Sequence, residues 1–177
     1  MLRFLLELLN QPRRLLALVS LICLALLSFG LYLQHGLGLE PCPMCIVQRY
    51  LMVLMAMVAA VGAFMTAGRV QMIGLALTAA LAAAGAFVAA RQSWLQWFPP
   101  EVYTCGRDFY GMIETFPLKR AIPMIFRGSG DCTKIDWTLL GLSIANWSFF
   151  AFFAMGLWCV GLLVSRWRLR QTASPCA

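Results

Sequence analysis

Charged side chains are scarce in this chain of 177 residues: only 12% of the residues are Asp, Glu, Lys or Arg, whereas 62% are hydrophobic. Soluble domains carry about twice that share of charge. The composition therefore excludes an ordinary soluble domain and indicates a chain that lies mostly in lipid. The sequence also lacks internal repeats and low-complexity linkers, and its length allows a single membrane domain, residues 1–177.

The sequence contains one histidine, His35. A haem held between two membrane helices by two histidine ligands is thereby excluded, and His35 itself is interpreted as an interfacial residue. The net charge is +7, which is compatible with nucleic-acid binding. The arginines flank apolar runs, however, and no nucleic-acid-binding motif is present. The charge therefore indicates membrane topology, and we predict no nucleic-acid partner.

Four apolar runs approach the length of about 20 residues that a helix needs to cross the hydrocarbon core. We predict an all-α integral membrane protein, a bundle of four transmembrane helices. The predicted spans are at about 15–33, 46–66, 70–90 and 147–165, with outer loops at about 34–45 and 91–146. The third run is rich in alanine and glycine, which favours close packing of helix backbones.

Lysine and arginine residues set the predicted orientation. Seven arginines occupy short segments on one side of the spans: Arg3, Arg13, Arg14, Arg69, Arg166, Arg168 and Arg170. The other side also has seven Lys and Arg residues, but they are spread over a longer stretch with six carboxylates. The positive-inside rule then places both termini in the cytoplasm and both outer loops outside.

The seven cysteines differ in predicted depth. Cys23 and Cys159 lie inside apolar runs, and Cys176 lies in the C-terminal tail. The other four lie in the two outer loops: Cys42, Cys45, Cys105 and Cys132. Clustering of cysteines on one side of the membrane indicates an oxidising compartment there, in agreement with the orientation derived from charge.

Cys42 and Cys45 form a Cys-x-x-Cys pair at the start of the second predicted span. Two thiols at this spacing exchange readily between dithiol and disulfide. We expect Cys45 in or just before the first helical turn, with Arg49 one turn further along the same face. The helix dipole and the guanidinium would both favour the Cys45 thiolate. The alternative for Arg49 is a snorkelling residue at the membrane interface.

The long outer loop mixes apolar residues with charges. Pro117 and Pro123 interrupt any long helix, so we predict a short interfacial helix at about residues 107–116. Cys105 and Cys132 are compatible with a structural disulfide or with a second redox couple that exchanges with the first. A zinc site with four thiolates is disfavoured, because Cys105 and Cys132 are not a close pair.

Several of these features together resemble the disulfide bond formation protein B (DsbB) family. The resemblance covers almost the whole chain in order. The segments that carry it are Gln34-His35, Pro41-Cys42 with Cys45 and Arg49, Thr104-Cys105, Gly128-Ser129-Gly130-Asp131-Cys132, Trp137, and Leu139-Leu140-Gly141-Leu142.

The resemblance implies a bacterial inner-membrane thiol:quinone oxidoreductase. Such an enzyme reoxidises a periplasmic DsbA-like protein of thioredoxin fold and passes two electrons to ubiquinone or menaquinone; no metal is implied. Cys105 would form the mixed disulfide with the partner, and Cys132 would then exchange with the Cys42–Cys45 disulfide. Cys45 would be the sulfur that meets quinone, with Arg49 beside it.

The resemblance also implies that Gln92 and Gln96 lie near the quinone. Members of the family often have a histidine at the position of Gln92. An amide can form a hydrogen bond with a quinone carbonyl, but it cannot carry a positive charge at neutral pH. Gln96 matches a family position as a polar residue at the membrane interface.

Two other functions fit part of the sequence. A four-helix reductase of the vitamin K epoxide reductase kind uses similar parts, but its loop cysteines precede a Cys-x-x-Cys on a late span, whereas here the Cys-x-x-Cys comes first. A non-enzymatic membrane scaffold would use the same cysteines as structural disulfides. Thiol titration separates the scaffold from a redox enzyme, because structural disulfides resist mild reduction.

Overall fold

The computed structural model describes residues 11–98 and 133–172. The four helices are α1 (Pro12–Gly36), α2 (Pro43–Phe64), α3 (Gly68–Trp97) and α4 (Ile144–Thr172), and a hairpin of two short strands, β1 (Thr138–Leu139) and β2 (Leu142–Ser143), precedes α4. Each helix is long and apolar enough to cross a membrane. The predicted all-α membrane bundle of four helices is thereby confirmed. The predicted interfacial helix at 107–116 lies outside the described residues.

Proline opens the first two helices. Pro12 and Pro43 stand in the first turns of α1 and α2, where the N–H that proline lacks would have no partner within the helix. Both helices therefore begin three residues before the predicted spans. For α2 this places Cys45 inside the helix and leaves Cys42 as the residue that caps it.

Helix α3 continues to Trp97, seven residues beyond the end predicted at residue 90. The segment 91–97 contains neither proline nor glycine, and the first proline follows at position 99. Nothing local therefore stops the helix where the apolar run ends. As a result Gln92 and Gln96, predicted to lie in the outer loop, stand one turn apart on the same face of α3.

The bundle is packed around small and branched apolar side chains. Its fully buried residues come from all four helices and include Leu16, Met55, Leu75, Phe152 and Cys159. Large apolar residues also point outward: Phe64 is 79% exposed, Phe87 74% and Leu21 64%. An apolar outer surface around a close-packed interior is typical of a protein whose solvent is lipid.

Consecutive helices pack against each other, and α1 also contacts α4. The Ser20 hydroxyl donates a hydrogen bond to the Ala56 carbonyl at 3.1 Å, which joins α1 to α2. Cys23 Sγ lies 4.0 Å from Met155 Sδ, which brings α1 against α4. Because the connections between α1, α2 and α3 are short, the C-terminal ends of α1 and α3 lie at the same end of the bundle as the N-terminal end of α2. The N-terminal end of α4 lies there too, since Ser143 contacts Gln96 near the end of α3.

The small residues of α3 allow one especially close contact. A Cβ atom added at Gly85 would lie 2.5 Å from ring carbons of Phe152, which is fully buried on α4. We predict that Gly85→Ala lowers the free energy of unfolding by about 1–3 kcal/mol through overpacking, although alanine is the better helix former. Thermal unfolding in detergent, followed by circular dichroism, measures the loss.

Gly161→Ala is the matched control, because a Cβ atom at Gly161 on α4 would meet no other atom within 4 Å. We expect this variant to unfold at the same temperature as the unmodified protein or slightly above it. Equal unfolding temperatures for the two alanine variants would contradict the predicted contact.

The hairpin before α4 is joined to that helix by hydrogen bonds at both of its strands. Leu140 and Gly141 have positive φ angles of 54° and 78°, as in the type I′ turn that suits a two-residue hairpin loop. Ser143 caps α4, since its Oγ accepts a hydrogen bond from the Asn146 N–H at 3.4 Å. The Trp147 indole N–H donates to the Leu139 carbonyl at 3.1 Å. The hairpin lies in the stretch predicted as the outer loop, where no strands were predicted.

Candidate active site

A cavity of about 580 Å³ lies at the end of the bundle that carries Cys42 and Cys45. Its walls are mainly apolar, with contributions from Leu26, Leu33, Met52, Trp137 and Trp147. The polar lining includes Cys42, Cys45, Gln48, Arg49, Gln92 and Gln96. The volume falls within the range of roughly 300–1,000 Å³ that small-molecule sites occupy, and an apolar wall with few polar groups is typical of such sites.

Cys42 and Cys45 meet at the N-terminus of α2. Cys42 is the N-cap residue, and its Sγ accepts a hydrogen bond from the Cys45 N–H at 3.4 Å. The two sulfur atoms lie 3.0 Å apart, so disulfide formation requires an approach of about 1 Å. Cys45 is the third residue of the helix, as the sequence predicted. The positive end of the helix dipole therefore acts on both sulfurs and favours thiolate formation.

The sulfurs also face a buried pair of glutamines. Gln92 Nε2 donates hydrogen bonds to Cys45 Sγ at 3.1 Å and to Cys42 Sγ at 3.3 Å. Gln92 Oε1 accepts a hydrogen bond from Gln48 Nε2 at 2.7 Å. The sequence predicted Gln92 beside the quinone; the structure places its N–H groups against the two sulfurs, where they would stabilise negative charge on either atom.

Arg49 reaches across from α2 to α1. Its Nη2 donates to the Gly30 carbonyl at 3.1 Å, and its Nη1 donates to the Gln34 side-chain oxygen. The side chain is half-buried and lines the cavity together with Cys45. The guanidinium is thus fixed against α1 at the cavity wall, a placement different from that of an arginine that extends along lipid to the surface.

Gln96 lines the cavity one turn beyond Gln92. Its Oε1 accepts a hydrogen bond from the Ser143 hydroxyl at 2.6 Å. Gln96 therefore joins α3 to the residue that caps α4. Phe29 of α1 meets Trp137 edge to face, with ring centroids 5.9 Å apart, and this contact holds the segment before the hairpin over the cavity.

Gln48 is the site residue that the sequence analysis missed. It is only 4% exposed, and it stands three residues after Cys45, on the same side of α2. The signal was present in the sequence, because an amide inside an otherwise apolar membrane helix needs a polar partner. The sequence did not identify Gln92 as that partner.

Cys105 and Cys132, the other two predicted catalytic residues, lie outside the described residues, as does Cys176. Cys23 and Cys159 are fully buried in the bundle core, away from the cavity lining. Of the residues predicted at the active site, the described part of the chain therefore brings together Cys42, Cys45, Arg49, Gln92 and Gln96 around one cavity.

Comparisons with known proteins point to one family. The family model described as "Disulfide bond formation protein DsbB" matches residues 12–162. The chain is 68% identical over 161 residues to "Disulfide bond formation protein B" of Polaromonas sp., covering 91% of this chain and 95% of that protein. It is 64% identical over 165 residues to the protein of the same name from Polaromonas naphthalenivorans, covering 93% and 99%. A third relative with this name, from Paracidovorax citrulli, is 63% identical over 146 residues and covers 82% of this chain and 83% of its own length.

Proposed function

The chain belongs to the disulfide bond formation protein B family, and on this premise we propose that it is a thiol:quinone oxidoreductase that reoxidises a periplasmic DsbA-like protein of thioredoxin fold. A general role in disulfide bond formation follows from the family itself. The proposal adds the electron donor, the electron acceptor and the compartment. We place the protein in the bacterial inner membrane on its membership of this family, and both termini in the cytoplasm on the distribution of arginines.

One observation carries the proposal: the Cys42–Cys45 pair opens into an apolar cavity at the N-terminal end of a helix long and apolar enough to cross a membrane. A thiol pair that served only structural disulfides would need no such cavity. Here the sulfurs combine a helix N-terminus, amide donors from Gln92 and a nearby guanidinium from Arg49. The helix N-terminus and the Gln92 amide both favour the thiolate, which is the form that exchanges disulfides, and Arg49 adds a positive charge to the wall of the same cavity.

The proposed exchange moves one electron pair between two disulfides. A thiolate of the reduced partner attacks Cys105, and Cys132 leaves as a thiolate. Cys132 then attacks Cys42, the Cys42–Cys45 bond breaks, and Cys45 leaves as a thiolate. The second partner thiol attacks the mixed disulfide, which releases the oxidised partner. Two electrons and two protons have then left the partner: Cys45 and Cys105 are reduced, and Cys42 is bonded to Cys132. Attack of the Cys105 thiolate on Cys132 re-forms the Cys105–Cys132 disulfide and releases Cys42, so that the electron pair is held by the reduced Cys42 and Cys45.

The cavity fits a quinone ring and the start of its tail. Its volume is about 580 Å³, and Leu26, Leu33 and Met52 give it an apolar wall. A quinone bound there would accept two electrons and two protons. Arg49 would stabilise negative charge on a quinone oxygen, because its guanidinium is held in place by α1 before any ligand arrives. Gln92 would keep the Cys45 sulfur ionised and oriented.

A direct assay tests this function. We expect purified protein mixed with ubiquinone and a reduced thioredoxin-fold dithiol protein to reduce the quinone, which is followed by the loss of its ultraviolet absorbance. One partner dithiol should be oxidised for each quinone consumed. Assays without the partner, and with the partner already oxidised, are the controls. Partner oxidation without quinone loss, or no reaction with either ubiquinone or menaquinone, would refute the proposal.

A further inference from the structure

We propose that Gln48 is a positioning residue for this reaction: it fixes the orientation of the Gln92 amide so that the NH₂ group faces the sulfurs of Cys42 and Cys45. This inference rests on the proposed function only where it says that the two sulfurs take part in catalysis. The geometry and the experiments below concern the reduced protein alone, without quinone or partner.

The two glutamines form a closed, buried set of hydrogen bonds with the sulfurs. Gln48 is 4% exposed and Gln92 is 3% exposed. The bond from Gln48 Nε2 to Gln92 Oε1, at 2.7 Å, joins α2 to α3. On its other side the Gln92 amide places its single nitrogen 3.1 Å from Cys45 Sγ and 3.3 Å from Cys42 Sγ. The NH₂ group and the carbonyl oxygen of this amide therefore both have hydrogen-bond partners.

The chemistry of an amide makes its orientation important. A thiolate accepts hydrogen bonds and donates none, so it is stabilised by the NH₂ group of Gln92 and repelled by the carbonyl oxygen. A glutamine amide can turn by 180° at little cost in space. If it did so here, the carbonyl would face the sulfurs and the NH₂ group would face the Gln48 donor, and both contacts would be unfavourable. Gln48 therefore acts on the sulfurs through Gln92.

The amides of Gln48 and Gln92 stay uncharged at every pH of the experiment, since amides do not titrate in the accessible range. The charged side chains that line the same cavity are Glu40, Arg49, Lys134 and Asp136. None of these is altered in the glutamine variants that follow. Changes in sulfur reactivity among those variants would therefore report on the amides.

The first test replaces Gln48 with methionine, which has nearly the same shape and no N–H donor. We expect alkylation of Cys45 by iodoacetamide in the reduced protein to be about tenfold slower at pH 7, with the midpoint of the pH profile moved to higher pH, because the amide of Gln92 is no longer oriented. Mass spectrometry of peptides measures alkylation at Cys45 separately from the other cysteines. Gln71→Met, at the opposite end of α3 where Gln71 bonds the Met65 carbonyl, is the matched control and should leave the profile unchanged.

The second test separates a positioning role from an independent one. Gln92→Met should slow the alkylation of Cys45 at least as much as Gln48→Met, and the double variant should match Gln92→Met alone. Additive effects of the two substitutions, or an unchanged pH profile in Gln48→Met, would overturn the proposal. Should Gln48→Met fail to fold, Gln48→Asn provides the same test, because it keeps an amide that is too short to reach Gln92. If the variants show the expected Cys45 profiles but the unmodified protein reduces no quinone, the result counts against the proposed function and not against the positioning role of Gln48.

Discussion

Replacing Cys45 with serine is expected to reduce the rate of quinone reduction to background, whichever thiol supplies the electrons. A serine hydroxyl cannot form a disulfide with Cys42, and it stays protonated where a thiol would ionise. The helix N-terminus and the Gln92 amide would then act on a hydroxyl group, which cannot pass electrons to quinone. Quinone absorbance, recorded with a reduced thioredoxin-fold partner and separately with dithiothreitol, measures the loss.

Cys105→Ser is the control for this variant, since the proposal gives Cys105 a role only in capture of the partner. We expect it to lose reduction driven by the partner and to retain reduction driven by a dithiol small enough to enter the cavity. The two serine variants should therefore differ in the dithiothreitol assay alone. Normal turnover by Cys45→Ser with either donor would remove Cys45 from the reaction and leave the site without its terminal sulfur.

The bundle could be predicted from the sequence because the membrane imposes simple rules on it. A helix that crosses the hydrocarbon core needs about 20 apolar residues, and four runs near this length are visible in the sequence alone. The position of Cys45 in or just before the first turn followed in the same way, from the start of the apolar run at Ile46. Both inferences depend only on neighbours in sequence.

The hydrogen bonds of the site could not be predicted, because they depend on how the helices are rotated about their axes. Gln48 and Gln92 are 44 residues apart, and nothing local to either residue shows that both face the same pair of sulfurs. The same holds for Arg49, whose partners Gly30 and Gln34 are set by the packing of α1 against α2. Sequence identified most of the polar residues, but the structure determined their partners.

Two errors of the sequence prediction, the end of α3 and the missed hairpin, had different causes. The end of α3 was predicted where hydropathy falls, although hydropathy measures the environment of a helix and not its continuation; residues 91–97 remain helical because no breaker interrupts them. The hairpin was missed because its turn uses Leu140 with a positive φ angle, whereas the usual signal is Asn-Gly or Asp-Gly.

Arg49→Met is expected to lower kcat/KM for quinone about a hundredfold, through a lower kcat as well as a higher KM. The substitution removes the arginine that the described residues contribute to the cavity wall. Removal of a single donor held in place for a developing negative charge typically lowers kcat by about this factor. It also leaves the Gly30 carbonyl and the Gln34 side chain without their arginine. Steady-state kinetics with varied quinone and a saturating thiol donor measure both constants.

A second substitution at this position distinguishes charge from geometry. Arg49→Lys keeps the positive charge, but an ammonium on a flexible chain cannot bond Gly30 and Gln34 with two fixed nitrogens as the guanidinium does. Its kcat/KM should fall between those of the unmodified protein and Arg49→Met. Arg69→Met, which removes an exposed arginine near the start of α3, is the control for loss of charge alone. If Arg49→Met and Arg69→Met show the same quinone dependence, Arg49 serves only to join α2 to α1, and the charge that stabilises the reduced quinone must come from another residue.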